Sequence, residues 1–451
     1  MGATPVFGRR TAAPSSGDGA TGAEGVRAGL RRDDVDLIRT LCLAKIDATA
    51  IAALPQARLF DTVESLLADL ATEHRIQLNG REQRQIAAEL VDDMLGLGPL
   101  EPLLEDDAIT DIMVNGPDNV FAERGGKLGQ LQVRFRDSAH LANICQRIAA
   151  SVGRRVDESS PMVDARLKDG SRVNIVLPPL ALDGPCLSIR KFAKKPISFS
   201  RLIEYGSLTP PIARVLEIAA RCRLNVVISG GTGSGKTTLM NAMSSFIDPA
   251  ERVVTVEDAA ELQLQQPHVV RLETRPLNLE GKGEISQRDL LRNALRMRPD
   301  RIIIGEVRGP EAFDMLQAMN TGHDGSMSTI HANNTRDALA RIENMVQMAS
   351  MGLSLRAIRT QVVSAVNLIV QVERQRDGGR RVVQLTEIAG IEGETPLLND
   401  IFKYEMQGED ATGRLVGRYL VSRTRPSFNE RLTYFGLQRS WSAALEQASM
   451  A

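Results

Sequence analysis

The octapeptide GGTGSGKT at 230–237 constrains this chain more than any other feature. It satisfies G-x-x-x-x-G-K-[ST], follows the apolar run 225–229 and opens a stretch with Leu239, Met240 and Met243 at helical spacing. Strand, glycine-rich loop and helix are therefore expected in succession. Glycines let such a loop curl until its N–H groups converge on an anion, and the helix N-terminus adds partial positive charge. In this pattern the lysine reaches the β- and γ-phosphates of a nucleotide and the following hydroxyl ligates Mg²⁺. The candidate nucleotide-binding set is thus Gly230, Gly231, Thr232, Gly233, Ser234, Gly235, Lys236, Thr237 and Thr238, with Thr237 as metal ligand and ATP and Mg²⁺ as the implied ligands.

Hydrolysis needs a group that activates water. The run 301–306, RIIIGE, is an apolar strand ending in a carboxylate, where α/β folds place their sites, so Glu306 is the candidate general base or water-orienting residue. Gly305 stands where such a strand usually carries an aspartate. A second acidic strand end, VVTVED at 253–258, offers Glu257 to order metal-bound water. The segment TGHDGSMSTIHANN at 321–334 carries His323 and His331, two of five histidines, and suggests a γ-phosphate sensor. Zinc is not expected, because no further ligands lie at metal spacing and the four cysteines form no C-x-x-C pair. Arg154, Arg155, Arg166, Arg172 and Arg190 lie near strand ends upstream. Alone they read as solvated charges; facing a nucleotide, a guanidinium would neutralise charge on the transferred phosphate.

Residues 1–30, rich in Gly, Ala, Thr, Ser and Pro, read as a disordered tail. A helical bundle is expected over 31–98, where Ile86, Leu90 and Met94 fall at i, i+4 and i+8 with Ala87, Val91 and Leu95 beside them. An α+β domain follows over 99–195, with a helix near 138–151, and a proline-containing linker over 196–210. Over 211–400, helical patterns alternate with apolar runs at 225–229, 252–256, 301–304 and 368–372. That arrangement implies a parallel sheet covered on both faces, as in a RecA-like α/β domain. Residues 401–451 read as a C-terminal extension with a hairpin arm near 413–421 and a helix near 440–448. No run approaches the length needed to span a bilayer, and no apolar leader is present, so a cytoplasmic chain is expected. A net charge of -1 and 4% aromatics argue against direct nucleic-acid binding.

Four boxes occur in order: the loop at 230–237, TVEDAAEL at 255–262, IIIGEVRG at 302–309 and the histidine segment. Together they resemble the secretion-ATPase superfamily of type II secretion, type IV pilus and type IV secretion systems. Within it, RLNVVISGGTGSGKTTLMNAMSSFI, QPHVVRLETRPLNLEGKGEIS and the stretch LRMRPDRIIIGEVRG through HANN look like the CpaF/TadA family of tight-adherence (Tad, Flp) pili. The likeness runs from about residue 85 to about 435. The resemblance implies catalytic roles for Lys236, Glu257, Glu306, His323 and His331. It also implies that Arg172, in DGSRVNI, and Arg190, in LSIRKF, reach the phosphates from the preceding domain. It further implies a homo-hexamer beneath inner-membrane platform proteins, powering pilus assembly. A type IV secretion ATPase exporting protein or DNA shares every box. A ring scaffold without turnover is disfavoured by intact Lys236, Thr237 and Glu306, and an ABC ATPase by the missing LSGGQ-like signature.

Overall fold

The computed structural model describes residues 32–45, 56–167, 169–192, 197–275, 277, 282–349, 352–411, 413–422 and 424–450. The expected tail over 1–30 and residues 193–196 lie outside the described residues. The chain divides into two compact units, Met1–Glu105 and Asp106–Ala451.

The first unit holds α1 (Arg32–Lys45), α2 (Gln56–Glu73), α3 (Gly80–Leu95) and the short α4 (Glu101–Glu105). Ile38 and Cys42 of α1, Leu59, Val63 and Leu67 of α2, and Ile86 and Leu90 of α3 share one core, with Met94 packed against it. The Asn79-Gly80 break is a start signal. The Asn79 side chain accepts from the Arg81 and Glu82 N–H groups, and the Glu82 carboxylate accepts from the Asn79 N–H at 2.9 Å.

The second unit contains two sheets. The first is antiparallel, in the order β3-β2-β1-β6-β5-β4. Its strands are β1 (Ile109–Asn115), β2 (Val120–Arg124), β3 (Lys127–Gln130), β4 (Met162–Arg166), β5 (Arg172–Val176) and β6 (Cys186–Arg190), with α5 (Ser138–Ser151) after β3. Ile112 and Val114, Val173 and Ile175, and Leu187 and Ile189 alternate into the interior, as the period of two requires.

The second sheet has nine strands. Its parallel part contains β7 (Val226–Gly230), β8 (Val253–Glu257), β9 (Val269–Glu273), β10 (Arg301–Val307), β11 (Met327–Ile330) and β12 (Leu368–Arg374), ordered β12-β7-β11-β10-β8-β9. Between them run α8 (Lys236–Ser244), α9 (Gln287–Ala294), α10 (Glu311–Asn320), α11 (Thr335–Met348) and α12 (Leu355–Ala365). The apolar strands serve two cores: Val226 and Ile228 pack with Leu239 and Met243, while Val227 between them packs with Leu316 and Ile342. This is a RecA-like α/β fold, in which one strand, β11, separates the glycine-loop strand β7 from the acidic strand β10.

Two segments pack more closely than expected. Residues 199–210, read as linker, form α6 (Phe199–Glu204) and lead into α7 (Pro210–Arg221). Phe199 and Leu202 are buried in the core of the second sheet, and Phe199 meets Phe246 edge-on at 4.9 Å. Pro210 does not break the chain, because at the first turn of α7 a missing N–H costs nothing. The segment read as a C-terminal extension from 401 begins within a strand. β13 (Arg380–Glu392), β14 (Thr395–Glu409) and β15 (Leu415–Val421) continue the second sheet antiparallel from β12, so no break falls at 400. α13 (Asn429–Tyr434) and α14 (Gln438–Met450) then fold back, and Phe402 and Trp441 enter the same core as α7.

Arg301, at the start of β10, is 1% exposed and holds Glu251 at 2.8 Å and the Ala220 carbonyl at 2.8 Å. Arg301→Ala is expected to cost about 3 kcal/mol, read as a lowered urea midpoint, because it strips Glu251 of its main partner.

Candidate active site

The carboxyl ends of β7, β8, β10 and β11 bring the chemistry-bearing residues together. Gly230 ends β7 where a Cβ would lie 2.3 Å from the Val372 carbonyl oxygen, so only glycine lets the loop leave between its neighbours. Gly235 turns the chain into α8 at φ +98, a left-handed conformation that suits glycine. Lys236, first residue of α8, folds its ammonium over the loop and donates to the Gly230 and Gly231 carbonyls, both at 3.0 Å. Burial lowers its pKa, the Glu306 carboxylate opposes that shift, and the charges of Arg308 and Arg190 reinforce it. Arg190 comes from the first sheet, so its charge reaches the loop.

Glu306, in β10, accepts two hydrogen bonds at one carboxylate oxygen, from Arg308 Nε at 2.9 Å and Nη2 at 2.5 Å. Arg308 also lies 3.7 Å from Asp258. Nothing in the local pattern singled out Arg308; the only signal was its place two residues after the candidate base.

Glu257 ends β8 and is 2% exposed. One carboxylate oxygen accepts from the Glu261 and Leu262 N–H groups at 2.7 and 2.9 Å; the other is buried with no partner among the described residues. A hydrated Mg²⁺ fits this carboxylate, since one of its waters would satisfy an oxygen that no described residue does. The Thr255 hydroxyl, on the same face of β8, is likewise buried with no partner among the described residues, whereas Ser229 faces the other side of the sheet with Val227. Gly305 explains itself here. A Cβ at that position would stand 3.0 Å from Glu257 Cγ, so the missing aspartate is the room Glu257 occupies.

Burial pushes the Glu257 carboxyl from 4.5 up to about 7 against the two backbone hydrogen bonds. The native chain therefore keeps this proton up to about pH 7, whereas the unfolded chain loses it near 4.5. Stability is expected to fall by roughly 3 kcal/mol as pH rises through that window and to level off above it. Urea midpoints from pH 4.5 to 8, compared with Glu257→Gln, isolate this slope; parallel curves would refute it.

The two histidines separate. His331 directly follows β11, at the end of the sheet that holds Lys236 and Glu306. His323 precedes β11 at the opposite end, where the Ser326 hydroxyl donates to its carbonyl at 2.7 Å. There Asn225, ahead of β7, accepts from the Gly325 and Ser326 N–H groups. A strand of this length spans roughly 13 Å, so His323 is not beside the glycine loop of its own chain. Its ring Nδ1 lies 3.1 Å from the Ala318 carbonyl oxygen, a turn-holding contact.

Across a cleft of about 990 Å³, which Thr237, Thr238, Asp258 and Glu261 line from one side, stand the arginines of the first sheet. Register puts Arg166 opposite Arg172, and Arg172 opposite Arg190. Arg172 is held by Asp164 at 2.6 Å, and Arg190 by Asp111 at 3.3 Å with Glu261 at 4.0 Å. Arg166, noted in the sequence without an assigned role, already crosses the cleft to Glu273 at 2.5 Å and to the Ala260 carbonyl.

A RecA-like sheet with an acidic, lysine-bearing edge facing an arginine row defines the class. The model described as Type II/IV secretion system protein matches residues 93–389, and the chain belongs to that family. A Mycobacterium tuberculosis chain with the provisional description of conjugal transfer protein is 42% identical over 307 residues, covering 67% of this chain and 87% of that one. The conjugal transfer protein TrbB of Rhizobium radiobacter is 36% identical over 291 residues, covering 64% and 86%. Among solved structures, the VirB11 ATPase from the Brucella suis type IV secretion system, in complex with sulphate, is 30% identical. That match covers 64% of this chain and 96% of that one, at a TM-score of 0.35. Among the described residues no helix is long and apolar enough to cross a membrane.

Proposed function

We propose that this chain is a Mg²⁺-dependent ATPase that drives assembly of a tight-adherence pilus as a homo-hexamer beneath inner-membrane platform proteins. The observation that carries the reaction is the convergence of Lys236, Glu257, Glu306 and His331 at one sheet edge, opposite the Arg166–Arg172–Arg190 row. Lys236 exchanges its two loop carbonyls for phosphate oxygens. Glu306, once Arg308 lets go, takes the proton of the attacking water. Thr237 would hold magnesium, which would neutralise charge on the phosphates. Arg172 and Arg190 add positive charge from across the cleft, so a triphosphate holds the two sheets together better than a diphosphate does. His331, at the end of β11, responds to that difference.

The pilus reading is supported by likeness outside the four boxes, from about residue 85 to about 435. A second reading, a type IV secretion ATPase exporting protein or DNA, is favoured by the names of the relatives, conjugal transfer and type IV secretion proteins among them. A deletion strain complemented with wild type or Glu306→Gln separates them. Loss of surface pili with DNA transfer and protein export intact supports the first; loss of transfer or export with pili intact supports the second. Absence of Mg²⁺-dependent ATP hydrolysis by the purified wild-type chain would overturn both.

A further inference from the structure

A second contact between the two sheets lies at the glycine loop itself. Arg374 ends β12 and Arg380 begins β13, directly paired across the hairpin. β12 is the strand beside β7, with Val372 opposite Gly230, so this hairpin emerges next to the loop. Arg380 Nε donates to the Gly233 carbonyl at 2.8 Å, and its Nη2 donates to Glu123 at 3.2 Å. Arg374 lies 3.9 Å from the other Glu123 oxygen and donates to the Gly126 carbonyl. Glu123 and Gly126 belong to the β2–β3 hairpin of the first sheet. The Glu123 side chain is only 16% exposed, while those of Arg374 and Arg380 are each 37% exposed, so the carboxylate is the buried partner.

We infer that Arg374, Arg380 and Glu123 clamp the glycine loop to the β2–β3 hairpin, so that the position of the first sheet sets the shape of the phosphate-binding loop. The inference rests on the nucleotide-site reading and adds positioning residues to it. Arg380 acts through Gly233. Its carbonyl anchor fixes the loop at its tip, and Glu123 fixes Arg380. Movement of the first sheet would pull on the loop through this chain of contacts, which is distinct from the arginine row across the cleft.

The clamp and a plain electrostatic effect predict opposite signs. If Arg380 acted only as a positive charge on phosphate, Glu123→Gln would unmask it and tighten nucleotide binding, and Arg380→Lys would be nearly silent. If the three residues act as a clamp, Glu123→Gln and Arg380→Gln each weaken binding by about fivefold, the worth of one hydrogen bond. The double variant is then no weaker than the worse single variant. Arg380→Lys behaves like Arg380→Gln, because an ammonium cannot bridge Gly233 and Glu123 in the same geometry. The measurement is the Kd of a fluorescent, non-hydrolysable ATP analogue for the full chain, with melting temperature as the control for folding. Tighter binding in Glu123→Gln, a silent Arg380→Lys, additive losses or unchanged affinity would each overturn the clamp. A wild-type chain that binds no nucleotide would instead overturn the site reading beneath it.

Discussion

Glu306→Gln is expected to bind ATP with near-normal affinity and to hydrolyse it about 10²-fold more slowly or worse, the usual scale for loss of a general base. The separation of the two effects follows from geometry. The loop amides, Lys236 and Thr237 sit on β7 and α8, whereas Glu306 sits on β10 two strands away, with β11 between. A glutamine is isosteric and can still meet Arg308, so the strand end should keep its shape. It cannot accept a proton from water. Single-turnover hydrolysis beside equilibrium binding of the same nucleotide reads both quantities. Turnover within a few-fold of wild type would remove Glu306 from the reaction and direct attention to Glu257 or Glu261.

Gly305→Asp should also be severe, although it restores the residue that strands of this kind usually carry. Ile304 pairs with Val256 across β10 and β8, which sets Gly305 beside Glu257. A side chain there would meet Glu257 Cγ at 3.0 Å and its Oε2 at 3.6 Å. Overpacking of this kind costs about 1–3 kcal/mol. It would also add a second carboxylate to one already pushed up to about 7, and two such groups in one buried site do not both ionise. Hydrolysis is expected to fall by about 10²-fold, the scale on which an ångström of misplacement acts, together with a lower melting temperature. Gly305→Ala should lie between the two. Unchanged or improved turnover in Gly305→Asp would show that the site accepts an aspartate there and that Glu257 does not stand in its place.

Local signals carried the sequence reading far. The glycine loop between strand and helix, the stripe of Ile86 and Leu90, and the apolar runs at 225–229 and 301–304 depend on residues adjacent in the chain. Backbone preference and side-chain period act over such short spans. The fold class followed from the alternation of these runs with helical patterns. Segments without a strong period were harder. Residues 199–210 and 401–450 carry prolines, turns and scattered aromatics, and their burial depends on a core supplied by α7 and the second sheet.

Neighbouring residues in the chain thus named the candidates for handling a phosphate and the kind of element on which each would sit. Which of them meet depends on the packed fold. His323 and His331 look equivalent in one polar segment, yet the four residues of β11 carry them to opposite ends of the sheet. Arg308 on Glu306, Gly305 beside Glu257, and Glu123 on Arg380 depend on strand order and register. The parallel order β12-β7-β11-β10-β8-β9 is not the order of the chain. A side chain's partner is fixed by the strand that lies beside it, and that neighbour is chosen by long-range packing rather than by any signal in the residues around it.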